Sequence, residues 1–172
     1  LTNLAQLHRQ RKAYDKLAET LALMVRLTDD PEALSAHYVE RADLLRVHLN
    51  RTEESIENYT LALGCAPKNE DALEGLIDIY RERERFAELA GVLERLAQLQ
   101  SGEPAGRTWL ELGRLQSRHM GQKTEAIDSL DAALELMPDD PEVLRLLAVQ
   151  NADLDRLDRA VRLYQRLARI YE

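Results

Sequence analysis

The strongest constraint on this chain is that its sequence repeats itself. Displaced by 71 places, YVERADLLRVHLNRTEESIENYTLALGCAPKNEDAL from Tyr38 falls on WLELGRLQSRHMGQKTEAIDSLDAALELMPDDPEVL from Trp109. Leu44/Leu115, His48/His119, Glu54/Glu125, Ala62/Ala133, Pro67/Pro138 and Leu73/Leu144 then coincide. Displaced by 72, residues 1–27 fall on residues 73–99 and match at Arg9/Arg81, Leu17/Leu89, Leu21/Leu93 and Leu27/Leu99. Half of that displacement, roughly 35 residues, is the length of a supersecondary unit that cannot bury its apolar face alone and must stack on neighbours.

Within each unit the apolar residues recur at helical spacing, as in Leu17, Leu21, Met24 and Leu27, or Leu89, Val92, Leu93, Leu96 and Leu99. Strand-like alternation is absent. With 7 Gly, 5 Pro, 31% charged residues and 45% hydrophobic residues, the composition also favours helix and is apolar enough for a core. Polar breaks such as those at 29–32, 48–54, 67–71 and 101–106 separate the helical runs, and ten helices are read in all. These pair as five antiparallel hairpins at about 1–28, 31–66, 69–100, 104–137 and 140–172, read as one repeat domain. The boundary ALELMPDDPEV shows how one unit hands over to the next. Pro138 cannot extend the hydrogen-bond ladder, and Asp140 and Pro141 supply the N-cap and first residue of the following helix.

In residues 109–138, Trp109, Leu112, Gly113, Gly121, Ala126, Leu130, Ala133 and Pro138 stand at nearly the spacing of the tetratricopeptide repeat, which this segment closely resembles. One extra residue lies between Gly113 and Gly121. Residues 38–67 match through Tyr38, Ala42, Tyr59, Ala62 and Pro67, with Arg41 where the family has Leu and Ser55 where it has Ala. Residues 144–170 match through Leu144, Leu147, Ala148, Ala160, Tyr164 and Leu167. The other hairpins diverge, carrying Leu17 and Leu89 at the small-residue position and Tyr14 and Phe86 three residues earlier. The resemblance implies an all-α, right-handed α-solenoid in which Trp109, Tyr38, Tyr59 and Tyr164 pack in the core. Leu1 corresponds to the fourth position of a first helix and the last residues to the end of a second, so a fragment of a longer array is expected, with its uncapped ends able to self-associate.

Charge and motifs exclude several kinds of function. Thirty-one acidic against 23 basic side chains give a formal charge of −8, which repels a nucleic-acid backbone. There is no apolar run of membrane-spanning length, so no membrane insertion is expected, and the first residues lack the order of a signal peptide. Cys65 is the only cysteine, which fits a reducing, cytoplasmic location and excludes an intramolecular disulfide. His8, His37, His48 and His119 have no HExxH spacing, and GxSxG, GxGxxG and P-loop motifs are missing. No catalysis, metal or cofactor is expected. His48 and His119 occupy equivalent places before a turn, where a structural or capping role accounts for them.

The family's first helices line a concave groove, and the resemblance maps groove positions onto Gln6 and Arg9; Val39, Asp43 and Arg46; Glu74, Asp78 and Arg81; Leu110, Arg114 and Ser117; and Arg145, Val149 and Ala152. Arg9, Arg46 and Arg81 recur at one register and, with Arg114 and Arg145, form a candidate guanidinium ladder for an acidic or carboxylate-ended segment. Val39 and Leu110 would add apolar contacts. The opposing expectation is that Asp43–Arg46 and Asp78–Arg81 neutralise each other as i,i+3 pairs. The Lys and Asn set with which some family members clamp chaperone tails is replaced by Val39, Asp43, Glu74 and Asp78. The sequence therefore reads as a non-catalytic scaffold for a protein or peptide partner. The alternatives are a spacer or oligomerisation element, or a regulatory arm of an enzyme beyond the segment.

Overall fold

Short polar side chains, two of them followed by proline, set where three of the first helices begin. Asp30 accepts a hydrogen bond from the Ala33 amide at 2.8 Å, Asn69 from Ala72 at 3.0 Å, and Asp140 from Glu142 and Val143 at 2.9 and 3.0 Å. Pro31 and Pro141 follow two of these caps, at the position where a missing N–H costs nothing. The computed structural model describes residues 1–172 and contains ten α-helices and no strand. They are α1 (Thr2–Gln10), α2 (Tyr14–Leu27), α3 (Pro31–Val47), α4 (Thr52–Cys65), α5 (Glu70–Glu82), α6 (Phe86–Leu99), α7 (Gly102–Leu115), α8 (Lys123–Leu136), α9 (Pro141–Asp153) and α10 (Leu157–Ile170). None is long and apolar enough to cross a membrane. The chain divides into two compact units, Leu1–Arg83 and Glu84–Glu172.

In the first unit, α1 and α2 close on Ala5, Leu17, Ala18 and Leu21, with Leu44 of α3 completing the cluster. The α3–α4 hairpin is centred on Ala42, Leu45, Tyr59 and Ala62, all fully buried. Tyr59 reaches α5, where position 75 must be glycine: a Cβ there would stand 2.3 Å from Tyr59 Cζ. In the second unit, α7 and α8 meet through Gly113, Ala126, Leu130 and Ala133, and a Cβ on Gly113 would stand 2.7 Å from Leu130 Cγ. The same cluster continues into α9 and α10 through Leu144, Leu147, Ala148 and Leu163. Each such leucine contributes about 2 kcal/mol by leaving water.

The turns come in two kinds. Lys12, Glu84 and Asp155, in the short connections, adopt positive φ of 53°, 54° and 57°, the left-handed conformation that turns a helix end back on itself. The α3–α4 and α7–α8 connections are longer. After α7 the helix widens into a π-turn, Gln116–Met120, ended by Gly121 at φ 66°, and the Gln122 amide donates to the Gln116 carbonyl at 3.0 Å. The equivalent bond in the first unit joins the Arg51 amide to the Leu45 carbonyl at 2.8 Å, with Asn50 at φ 53°. The extra residue counted between Gly113 and Gly121 is thus taken up by wider i→i+5 closure.

One packing expectation needs correction. Of the four aromatic residues assigned to the core, Tyr59 is fully buried but Trp109 and Tyr38 are only half-buried, and Tyr164 is 44% exposed. α10 packs on α9 through Ala160 and Leu163, which leaves Tyr164 on its outer side. Cys65, at the end of α4, is free and half-buried.

Candidate functional site

The groove positions of the first unit lie on α1, α3 and α5, and ion pairs link these helices from one hairpin to the next. Arg9 of α1 pairs with Glu40 of α3, and Arg46 of α3 reaches Asp78 of α5 at 3.3 Å. Asp78 also holds Arg81 at 3.4 Å, as the i,i+3 spacing predicted. The other predicted pair, Asp43–Arg46, does not form. Asp43 instead accepts the hydroxyl proton of Tyr59. Burial, and then this hydrogen bond to a carboxylate, push the Tyr59 hydroxyl well above its ordinary pKa, so it remains a donor. Val39 is half-buried.

In the second unit Arg114 of α7 pairs with Glu142 of α9, and Arg145 approaches the same carboxylate at 3.8 Å. Leu110, expected to line the groove, does not. It is 7% exposed and belongs to the core cluster that includes Val143, Leu144 and Leu146 of α9, because the next first helix packs over this position. Within each unit the candidate guanidinium groups are therefore engaged in ion pairs. Glu40 and Glu142, which complete two of these pairs, fall outside the groove register taken from the family. The signal that reveals such partners is a carboxylate about one repeat downstream of an arginine, 31 residues for Arg9 and 32 for Arg46.

Below the Arg9–Glu40 pair lies a pocket of about 220 Å³ with Leu17, Leu44 and Val47 as apolar lining and Asp43 at its edge. Tyr14 and His48 form one wall, their rings stacked at 4.0 Å and 3° from parallel. His119 also stacks on Phe86 in the second unit, at 4.3 Å with the rings 29° from parallel. Both histidines thus brace a longer turn against an aromatic ring. Solvent-facing ion pairs such as Arg9–Glu40 are worth at most about 1 kcal/mol each, so a competing charged group can exchange with either member. This is the chemistry the face offers: paired charges that can change partners, interrupted by small apolar patches.

Residues 108–144 match the family model described as a tetratricopeptide repeat. No curated protein sequence matches the chain. Among solved structures the fold is similar to that of MamA AMB-1, with 19% identity over 97% of this chain and 87% of that one and a TM-score of 0.61. It is also similar to MamA 41-end from Desulfovibrio magneticus RS-1, with 17% identity, 99% and 92% coverage and a TM-score of 0.55. A third is YrrB, described as a TPR protein with an unusual peptide-binding site, with 22% identity, 88% and 75% coverage and a TM-score of 0.59. Residues 108–144 thus carry one tetratricopeptide repeat, and over nearly its whole length the chain shares the helical fold of these structures.

Proposed function

We propose that the chain is a non-catalytic scaffold that holds protein or peptide segments along the faces formed by the first helices of each unit. The observation that carries this reading is the set of ion pairs running from one hairpin to the next, Arg9–Glu40, Arg46–Asp78 and Arg114–Glu142. An acidic segment binds there by taking the place of Glu40, Asp78 or Glu142 on the guanidinium groups, while Val39 and the pocket beside Val47 receive apolar side chains. The peptide-binding description of YrrB, a protein of similar fold, supports the same use of the fold. The test is Arg46→Glu with Arg81→Glu, followed by thermal melting and by partner capture compared with the unaltered chain. Loss of partners from a folded double variant is the expected result; an unchanged partner set would rule the face out.

A second reading, a spacer or self-associating element, is favoured by apolar side chains left in solvent on α1 and α10. Leu1, Leu4 and Leu7 are each at least 40% exposed, and Leu157 and Val161 are 60% and 53% exposed. Sedimentation of the unaltered chain and of Leu157→Lys with Val161→Lys separates the two readings. Concentration-dependent association abolished by the lysines supports the spacer, and a monomer in both removes it.

A further inference from the structure

The second unit has a notch that the ion-paired face does not use. It opens between α6, α7 and α8 with a volume of about 330 Å³, at the small end of ligand sites and suited to one side chain. Trp109 forms a wall, Leu112 and Ala132 add apolar surface, and Glu94, Glu125 and Asp128 bring three carboxylates. None of these carboxylates takes part in an ion pair; Glu94 only accepts a long 3.5 Å bond from Gln98. Gln116 and Ser129, also in the lining, are bonded to each other at 2.7 Å. No three acidic, histidine or cysteine side chains of the chain are grouped closely enough to hold a metal ion. Three acidic side chains in one small lining complement a cationic ligand.

The internal repeat shows what such a cation looks like. Displaced by 71, Trp109, Leu112, Glu125, Asp128 and Ser129 become Tyr38, Arg41, Glu54, Glu57 and Asn58. In that copy a guanidinium is already in place: Arg41, half-buried, donates from Nη1 to Asn58 Oδ1 at 2.7 Å. One hairpin thus fills the position with its own arginine. The other carries Leu112, too short and uncharged to do so, and keeps the acidic rim open.

We propose that this notch is a binding site for an arginine side chain of a protein partner, the guanidinium stacking on Trp109 and shared among Glu94, Glu125 and Asp128. A planar cation suits both demands, since it stacks on an indole face and presents several N–H donors to carboxylates. The net charge of −8 draws a basic segment toward the chain. This site is independent of the ion-paired face and asks for the opposite charge from the partner.

Trp109 is the only tryptophan, so its fluorescence reports on the notch directly. The probes are the blocked peptide Ac-Ala-Arg-Ala-NH₂ and its citrulline and leucine counterparts, titrated into the intact chain. A saturable change with the arginine peptide alone is expected. Glu125→Gln with Asp128→Asn, both exposed positions, weakens it about tenfold or more, the loss expected for charge-assisted hydrogen bonds. Leu112→Arg, which imports the arrangement of the first unit, abolishes the response if the variant melts normally. An equal response to the citrulline peptide, undiminished binding in the folded carboxylate variant, or a silent Trp109 in the unaltered chain would each overturn the site. A silent Trp109 beside partner capture that still depends on Arg46 and Arg81 would do so while leaving the scaffold reading intact.

Discussion

The hairpins α3–α4 and α7–α8 have the same length, the same wide turn and the same histidine stacked on an aromatic ring, yet they are held together by different chemistry. In α7–α8 the contacts are apolar and close, with Leu112, Leu130, Ala126 and Ala133 around Gly113. In α3–α4 the corresponding places carry hydrogen-bonded groups: Arg41 on Asn58, Tyr59 on Asp43, and Ser55 on the Ala42 carbonyl at 2.8 Å. Ser35 donates to the Ala62 carbonyl at 3.0 Å and accepts from Asn69 at 2.9 Å. Small residues and turn geometry therefore set the backbone, and the larger side chains are free to change type while their polar atoms find partners. The exchange is incomplete, since Arg41 Nε is buried without one. An apolar hairpin depends on volume, and a polar one on every donor being met.

That contrast can be broken at several places. The largest effect is expected from Leu130→Ala, which opens a cavity in the apolar hairpin and costs about 3 kcal/mol in chemical denaturation; a loss below about 1 kcal/mol would mean that volume is not what holds α7 to α8. Next comes one substitution made at two glycines. Gly75→Ala drives a Cβ to 2.3 Å from the rigid Tyr59 ring and strains its bond to Asp43, costing about 2 kcal/mol. Gly106→Ala meets Met137 Cγ at 2.7 Å and Leu136 Cβ at 3.2 Å; the unbranched Met137 side chain can swing aside, so the cost is smaller, about 1 kcal/mol. Equal melting temperatures for the two variants would remove the distinction.

The third prediction concerns alkaline pH. The folded pKa of Tyr59 lies above its unfolded value near 10, so the stabilisation is complete below about pH 10. It is lost as pH rises beyond that, at about 1 kcal/mol per unit, because only the unfolded chain readily releases the proton. Tyr59→Phe should flatten the slope, and an unaltered slope in that variant would assign it elsewhere. The smallest effect lies in the turns. Gly121→Ala, forced to φ 66°, should cost about 1 kcal/mol, while Gly121→Asn, which imports the residue of the first unit, should cost only a few tenths. Matching losses for the two would show that Asn50 gains nothing from its side chain.

Much of this architecture is legible in the sequence because it is local. Helix limits follow from caps such as Asp30 and Asp140, and the repeat register places the groove arginines on first helices. Their partners were missed because Arg9–Glu40 and Arg46–Asp78 join residues of successive hairpins, beyond any i,i+3 or i,i+4 rule. Leu110 was misread for a related reason: its register position is open on an isolated helix and becomes covered only when α9 packs in. Trp109 looks like a core residue from its place in the repeat, yet it is only partly buried and lines the notch.

The alternation of narrow and wide turns also defines how such a chain can grow. A single hairpin is not its own duplicate, because the next one closes differently; the smallest segment that returns to the same turn and stacked histidine is two hairpins long, the 71 or 72 residues of the internal displacement. Gene segments of that length can be copied or excised with the turn order intact, whereas a cut of half the length would join two turns of one kind. In units of recombination, the chain is counted in pairs.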